Sequence, residues 1–118
     1  MTKEIKRGDI YYADLDQTIG SEQSGTRPSL VVQNDLGNRH SPTTQIVPLT
    51  TRHKKASLPT HARLSPACGL DTTSIALIEQ LRTIDKSRLD AYVGRISTSE
   101  QTAVNRALVI SLGLEAAA

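Results

Sequence analysis

The chain has 118 residues, 14 Lys+Arg against 12 Asp+Glu for a formal charge of +2, one cysteine, and three tyrosines as its only aromatic residues. That length closes one modest core and predicts a single domain over residues 1–118, while Cys68 alone excludes a disulfide framework or a thiolate metal cluster. The slight net charge does not by itself point to nucleic acid, and without a signal-like start or an apolar run of about 18 residues the expectation is a cytoplasmic protein with no membrane role.

The first predicted strand is Asp9–Leu15, with Ile10 and Tyr12 on one face and Tyr11, Ala13 and Leu15 on the other. A long polar connection follows, and Ser29–Gln33 reads as the second strand. Asn34–Thr43 carries Asn-Asp, Gly-Asn and Ser-Pro and reads as a loop. Gln45–Leu49 is a strand interrupted by Pro48, which has no donor for a ladder and predicts an edge or a bulge. Thr51–Ser57 is a basic loop holding Arg52, His53, Lys54 and Lys55, after which Leu58–Leu64 alternates again. "SPACGLDTTS" is turn-like, Ser74–Gln80 is an apolar strand run, "LRTIDKSRL" suggests a short helical turn, and Ala91–Ile96 is the last strand. Ser97 and Glu100 have capping-box spacing ahead of a helical stripe of Val104, Ala107, Leu108 and Leu112. Short strands closed by one terminal helix predict a mainly β protein, a small antiparallel barrel and not a doubly wound parallel sheet. A core of Ile, Leu, Val and Ala buries less area per residue than an aromatic one, so oligomerisation would supplement it.

Among side chains that carry chemistry, Arg27 stands before Pro28, which biases it toward extended geometry and presents its guanidinium rigidly beside Ser21, Glu22 and Gln23 in sequence. It reads either as a surface arginine ahead of a strand or as a two-point phosphate ligand. Thr50 and Thr51 at a strand end are hydroxyl donors or simply good strand residues. Arg52, Lys54 and Lys55 form a solvated connection or a patch that tracks phosphates. His40, His53 and His61 match no zinc spacing, the carboxylates form no site-like cluster, and no Walker or dinucleotide glycine pattern occurs, so neither metal nor cofactor is expected. Two histidines would suit the acid and base of a metal-free ribonuclease, but the sequence does not bring them together.

Taken in order, "KRGDIYYADL", "GSEQSGTRPSLVVQND", "VPLTT", "LPTHA" and "LIEQLRTIDKSRL" resemble the MazF/PemK family of toxin endoribonucleases, closest to its Gram-positive MazF branch, from about Lys6 to Leu114. The resemblance implies a Src-homology-3-like barrel with helices, a homodimer, and sequence-specific cleavage of single-stranded RNA without metal or cofactor, leaving a 2′,3′-cyclic phosphate and a 5′-hydroxyl. It assigns catalysis to Arg27 and Thr50 and support to Ser21. It sets Gln33, Asn34 and Asp35 near the rim of the site, and Glu79–Asp85, with Glu79 and Gln80, near the dimer interface and RNA groove. His61, Ser21 or water would share the proton transfers. The implied partner is an antitoxin with a flexible acidic segment, through which alone DNA would be contacted. The first strand departs from many relatives in carrying Tyr12 where they place Phe, and the chain has no Phe, so an RNA recognition sequence does not transfer. Two other classes stand beside this reading: a non-catalytic RNA-binding module, and a gyrase-inhibitor-like toxin on the same fold, which the absence of Trp disfavours.

Overall fold

The computed structural model describes residues 4–16, 18–52 and 58–114. Among them are seven strands and two α-helices: β1 (Asp9–Asp14), β2 (Thr26–Val31), α1 (Asp35–His40), β3 (Thr43–Thr50), β4 (His61–Leu64), β5 (Ser74–Leu77), β6 (Arg82–Asp85), β7 (Leu89–Arg95) and α2 (Thr98–Leu112). Every pairing is antiparallel, along the path β4-β5-β3-β2-β1-β7, with β6 also beside β3. The mainly β, antiparallel architecture with a terminal helix is the one expected.

Alternation along the strands divides the core between two faces of the sheet. Ile10, Leu30, Val47, Leu49, Leu64 and Ile78 pack with Val104 and Ala107 of α2. Tyr11, Ala13, Leu15, Val31, Ile46, Ile84 and Leu89 form the second cluster. Helix α2 starts as its sequence requires. The Ser97 hydroxyl accepts from Glu100 N (3.2 Å), and Glu100 Oε1 accepts from Ser97 N (2.9 Å), a complete capping box. Leu112, expected on the buried stripe, is 54% exposed, and with Ile110 and Leu114 it leaves an apolar helix end uncovered.

Pro28 and Pro48 both sit where ladders end. Val32 N donates to Gln45 O (2.9 Å) in the β2–β3 register, so alternate pairs exchange hydrogen bonds. Continuing that alternation, the next exchanging pair beyond Ser29↔Pro48 would need an N–H from Pro28, which has none, and the ladder stops at Ser29. Pro48 turns its nitrogen to the other edge of β3. There the partner changes from β6, ending at Ile46↔Arg82, to β5, beginning at Leu49↔Ala76. A 3₁₀ turn, Ile78–Gln80, fills the gap between the two. Strand β3 is therefore neither an edge strand nor one that loses a needed hydrogen bond, which corrects the sequence expectation.

Three further expectations are corrected. Strand β2 begins at Thr26, so Arg27 and Pro28 lie inside it, opposite Ala13 and Tyr12. The loop expected over Asn34–Thr43 contains α1. That helix is six residues long and holds Gly37, so propensity does not account for it. Tertiary bonds do: Asn34 Oδ1 accepts from Gly37 N (2.7 Å), Arg7 N donates to Asp35 (2.7 Å), and buried Asn38 bonds Gln33 and Thr44. "LRTIDKSRL" holds the short turn expected, as 3₁₀ at Lys86–Arg88, but it also contains strand β6 (Arg82–Asp85), which was not expected.

Candidate nucleic-acid cleft

The interruption of the ladders opens a cleft of about 490 Å³. Arg27 at the start of β2 and Thr50 at the end of β3 both line it. The Ser21–Gln23 loop, Arg52, His61, Glu79 and Gln80 complete it. Arg27 Nε donates to Ser24 O (2.9 Å), a bond that orients the guanidinium without using its paired terminal nitrogens. Thr50 Oγ1 accepts from Arg52 N (3.1 Å), so the hydroxyl keeps its own proton to donate.

One wall is organised by the 3₁₀ turn that breaks β5 from β6. Gln80 Oε1 accepts from Gln23 N (2.9 Å) while its Nε2 donates to Ser21 O (3.3 Å), which fastens the β1–β2 connection across the cleft. Within that connection Glu22 Oε1 accepts from Ile19 N (2.8 Å). Glu79 Oε1 accepts from the Thr60 hydroxyl (3.0 Å), and its Oε2 lies 3.1 Å from His61 Nε2. Leu58 N donates to His61 Nδ1 (3.3 Å). These neighbours fix the neutral tautomer: Nδ1 is the acceptor, and the proton on Nε2 is donated to Glu79. A second recess shares Glu22, Gln23, Glu79 and Gln80 with the cleft and reaches Ile19, Pro48 and Arg82.

Nine of the residues singled out in the sequence thus meet in one place: Arg27, Thr50, Ser21, Glu22, Gln23, Arg52, His61, Glu79 and Gln80. Thr51 does not; it lines a separate recess with Tyr12 and Pro28. Gln33 and Asn34, expected near the rim, are absent from the lining and instead hold α1: Gln33 Nε2 donates to Asn38 Oδ1 and Thr43 O (both 3.1 Å), and Asn34 is the cap. Lys54 and Lys55 lie outside the described residues. Arg63 is a lining cation that the sequence reading missed. Its signal was present, since it alternates with inward Ala62 and Leu64 on β4. Among the described residues no three of His, Cys, Asp and Glu converge as a metal site would require.

The described cleft therefore offers permanent guanidinium charge at Arg27, Arg52 and Arg63, a hydroxyl donor, and an imidazole oriented by a carboxylate. A phosphodiester matches the cations through charge-assisted bonds.

Residues 6–112 match the model of the PemK-like, MazF-like toxin of type II toxin–antitoxin systems. The chain is 47% identical over 111 residues to Endoribonuclease EndoA of Bacillus subtilis, covering 93% of this chain and 96% of that protein. An endoribonuclease solved in complex with its cognate antitoxin from Mycobacterial species is 30% identical, with a TM-score of 0.79, covering 96% of this chain and 99% of that one. MazF of Deinococcus radiodurans, at 24% identity, shares the fold with a TM-score of 0.81 over 96% of this chain and all of its own. Motif order, fold and near-complete coverage agree, and this chain belongs to the PemK-like, MazF-like toxin family of type II toxin–antitoxin systems.

Proposed function

We propose that the protein is the toxin of a toxin–antitoxin pair and acts as a metal-independent, sequence-specific endoribonuclease on single-stranded RNA, mRNA included, so that translation and growth stop. The observation that carries the reading is the meeting of Arg27 and Thr50 with the His61–Glu79 pair in one cleft, in a chain nearly half identical to an endoribonuclease.

The chemistry follows from those groups. The ribose 2′-oxygen attacks phosphorus and loses its proton, the P–O5′ bond breaks, and the departing 5′-oxygen gains a proton. The products are a 2′,3′-cyclic phosphate and a 5′-hydroxyl. Charge grows on the phosphate oxygens in the transition state, where the planar donors of Arg27 and the Thr50 hydroxyl act. A guanidinium holds its protons too tightly to move them readily at neutral pH. Imidazole is the side-chain type that exchanges protons there, so His61, oriented by Glu79, takes part in the transfers together with Ser21 or water.

Two copies of the chain assemble in the cytoplasm, and the apolar end of α2, with Ile110 50% exposed beside Leu112 and Leu114, supports a homodimer. The antitoxin lays a flexible acidic segment along the cationic groove, where RNA otherwise sets its phosphates, and DNA is contacted only through that partner.

The test is a panel of single-stranded RNAs incubated with the protein in excess EDTA, with both new ends identified. Cutting with cyclic-phosphate and 5′-hydroxyl ends is expected. Cutting that returns only on adding Mg²⁺ or Zn²⁺ overturns the metal-independent mechanism, and binding without scission at high enzyme excess overturns the enzyme assignment.

A further inference from the structure

Residues adjacent in the chain to Arg27 and Thr50 build a second recess. Side chains alternate along a strand, so Pro28 of β2 faces away from the catalytic cleft, and with Tyr12 and with Thr51, just past the end of β3, it lines a cavity of about 380 Å³. Tyr12 and Pro28 stand directly opposite one another in the β1–β2 register, and Tyr12 is 38% exposed although it lies in the middle of a strand. The far wall is the segment Gly69–Thr72, bordered by Tyr92, whose ring stands edge-on to buried Tyr11 with centroids 5.4 Å apart.

That wall is held by a close backbone crossing. A Cβ on Gly94 would lie 1.8 Å from Cys68 O, and one on Gly69, at φ +95°, would lie 2.3 Å from Val93 O. Only glycine at both positions lets the segment approach β7 closely enough to face Tyr12 across the recess. The result is a flat aromatic and proline floor, hydroxyls at Thr51 and Thr72, and one exposed carboxylate at Asp71.

We propose that this recess is a subsite for one unstacked nucleobase of the same RNA strand, next to the scissile phosphate, and that Asp71 selects a base bearing an amino group. The inference rests on the RNA-cleaving reading above. Position supports it, because Pro28 follows Arg27 and Thr51 follows Thr50, so the recess lies on the other side of the same two backbone segments, one residue from the phosphate-facing pair. Charge supports it as well. A carboxylate repels a phosphate but accepts from the amino group of cytosine or adenine, and from the amino group and ring N–H of guanine, whereas the carbonyls flanking the single N–H of uracil face it unfavourably. Stacking on Tyr12 is indifferent to base identity, so Tyr12 supplies affinity and Asp71 supplies choice.

The test is a scan of a cleaved RNA in which each nucleotide flanking the cut is replaced in turn by an abasic one, with wild-type protein, Tyr12→Ala, Tyr12→Phe and Asp71→Asn. At one position the abasic substrate is expected to lower kcat/KM roughly tenfold for wild type and Tyr12→Phe, mainly through KM. The same substitution should cost Tyr12→Ala clearly less than it costs wild type, because only the Asp71 contact is left to lose. Asp71→Asn should cut with unchanged ends and relax the preference for an amino-bearing base at that position. If losses from the abasic site and from Tyr12→Ala multiply at every position, the subsite is overturned and the nuclease reading stands. A wild-type protein that cuts no RNA overturns both. Should Tyr12→Ala fail to fold, the exposed Asp71→Asn change decides: base choice unaltered at every flanking position overturns the subsite.

Discussion

Arg27 and Thr50 lie each two residues beyond Ser29↔Pro48, the last pair of the β2–β3 ladder, and both line the cleft that opens where the ladder stops. Their positions are coupled through the backbone: Pro28, lacking an N–H, ends the ladder between them and the paired core. Removing the Arg27 guanidinium should therefore disable chemistry without unfolding the sheet. Arg27→Ala is expected to lower kcat roughly 10²–10³-fold with a cooperative melt retained and only moderate weakening of RNA binding. Arg27→Lys should recover little, since a point charge lacks the planar two-point fork. Thr50→Val should lose less than Arg27→Ala. Single-turnover cleavage beside binding of a non-cleavable 2′-deoxy substrate separates these effects.

Gln80 holds the β1–β2 connection through both ends of its amide. Gln80→Ala removes two bonds to the backbone of Ser21 and Gln23, and the expected outcome is faster amide exchange at Gln23 together with a higher KM. Gln80→Glu keeps the acceptor for Gln23 N and loses the donor to Ser21 O, so its exchange rate should fall between the two. Equal exchange in all three proteins would remove the clamp from the account of the site.

Glu100 ties the start of α2 to the Ser65–Cys68 turn, accepting from Ser65 N (2.8 Å) and from Cys68 Sγ (3.0 Å). Desolvation alone would raise its pKa, but the Ser65, Ser97 and Cys68 donors outweigh it and hold the carboxyl down at about 2. Burial, then the adjacent carboxylate, pushes the Cys68 thiol up to about 11. A carboxyl depressed on folding contributes stability above its unfolded pKa and loses it as pH falls toward about 2. A thiol raised on folding contributes below its unfolded pKa and loses it as pH rises toward about 11. Glu100→Gln should therefore flatten the acid limb of the stability profile, reducing stability at neutral pH by on the order of 2 kcal/mol once partial exposure is allowed for. Cys68→Ala should flatten the alkaline limb. Denaturant melts across pH measure both.

Gly94→Ala sets a methyl group 1.8 Å from Cys68 O, against backbone that has no rotamer with which to retreat. A loss of about 3 kcal/mol or more is expected, with the Gly69–Thr72 segment displaced. Gly20→Ala is the contrasting control. Its Cβ meets nothing within 4 Å, so only the strain of φ +60° acts, and the loss should be about 1–2 kcal/mol.

An acidic partner and RNA that share the groove should respond to salt in the same direction, because both are polyanions facing Arg27, Arg52 and Arg63. Arg63→Glu is expected to weaken both by roughly tenfold at low ionic strength and by less at high. Lys54→Glu with Lys55→Glu should do likewise while Arg27-dependent cleavage persists. An inhibitor that binds together with RNA and leaves its affinity unchanged would end the shared-groove account.

The sequence by itself determined those features whose cause is local. The Ser97–Glu100 box starts α2 because its two bonds join residues three apart. Alternation over Asp9–Leu15 sorted Ile10 from Tyr11, Ala13 and Leu15 because a strand's faces follow from its period alone. Ordered motifs named the family and eight residues of the cleft, and the basic loop named Arg52. Only the tertiary structure decided the rest. Helix α1 exists because Arg7, Gln33 and Thr44, remote or outside its span, satisfy Asp35 and Asn38, so its own residues carry too little signal. The same network drew Gln33 and Asn34 away from the cleft. Strand β6 is a strand because β3 is there to pair with it, a partner far off in sequence. Pro48 looked like an edge marker because proline reveals a missing donor but not which side of the strand lacks it. That side was fixed only when β5, β6 and the turn between them met β3, and the same meeting turned a broken ladder into the cleft that holds Arg27 and Thr50.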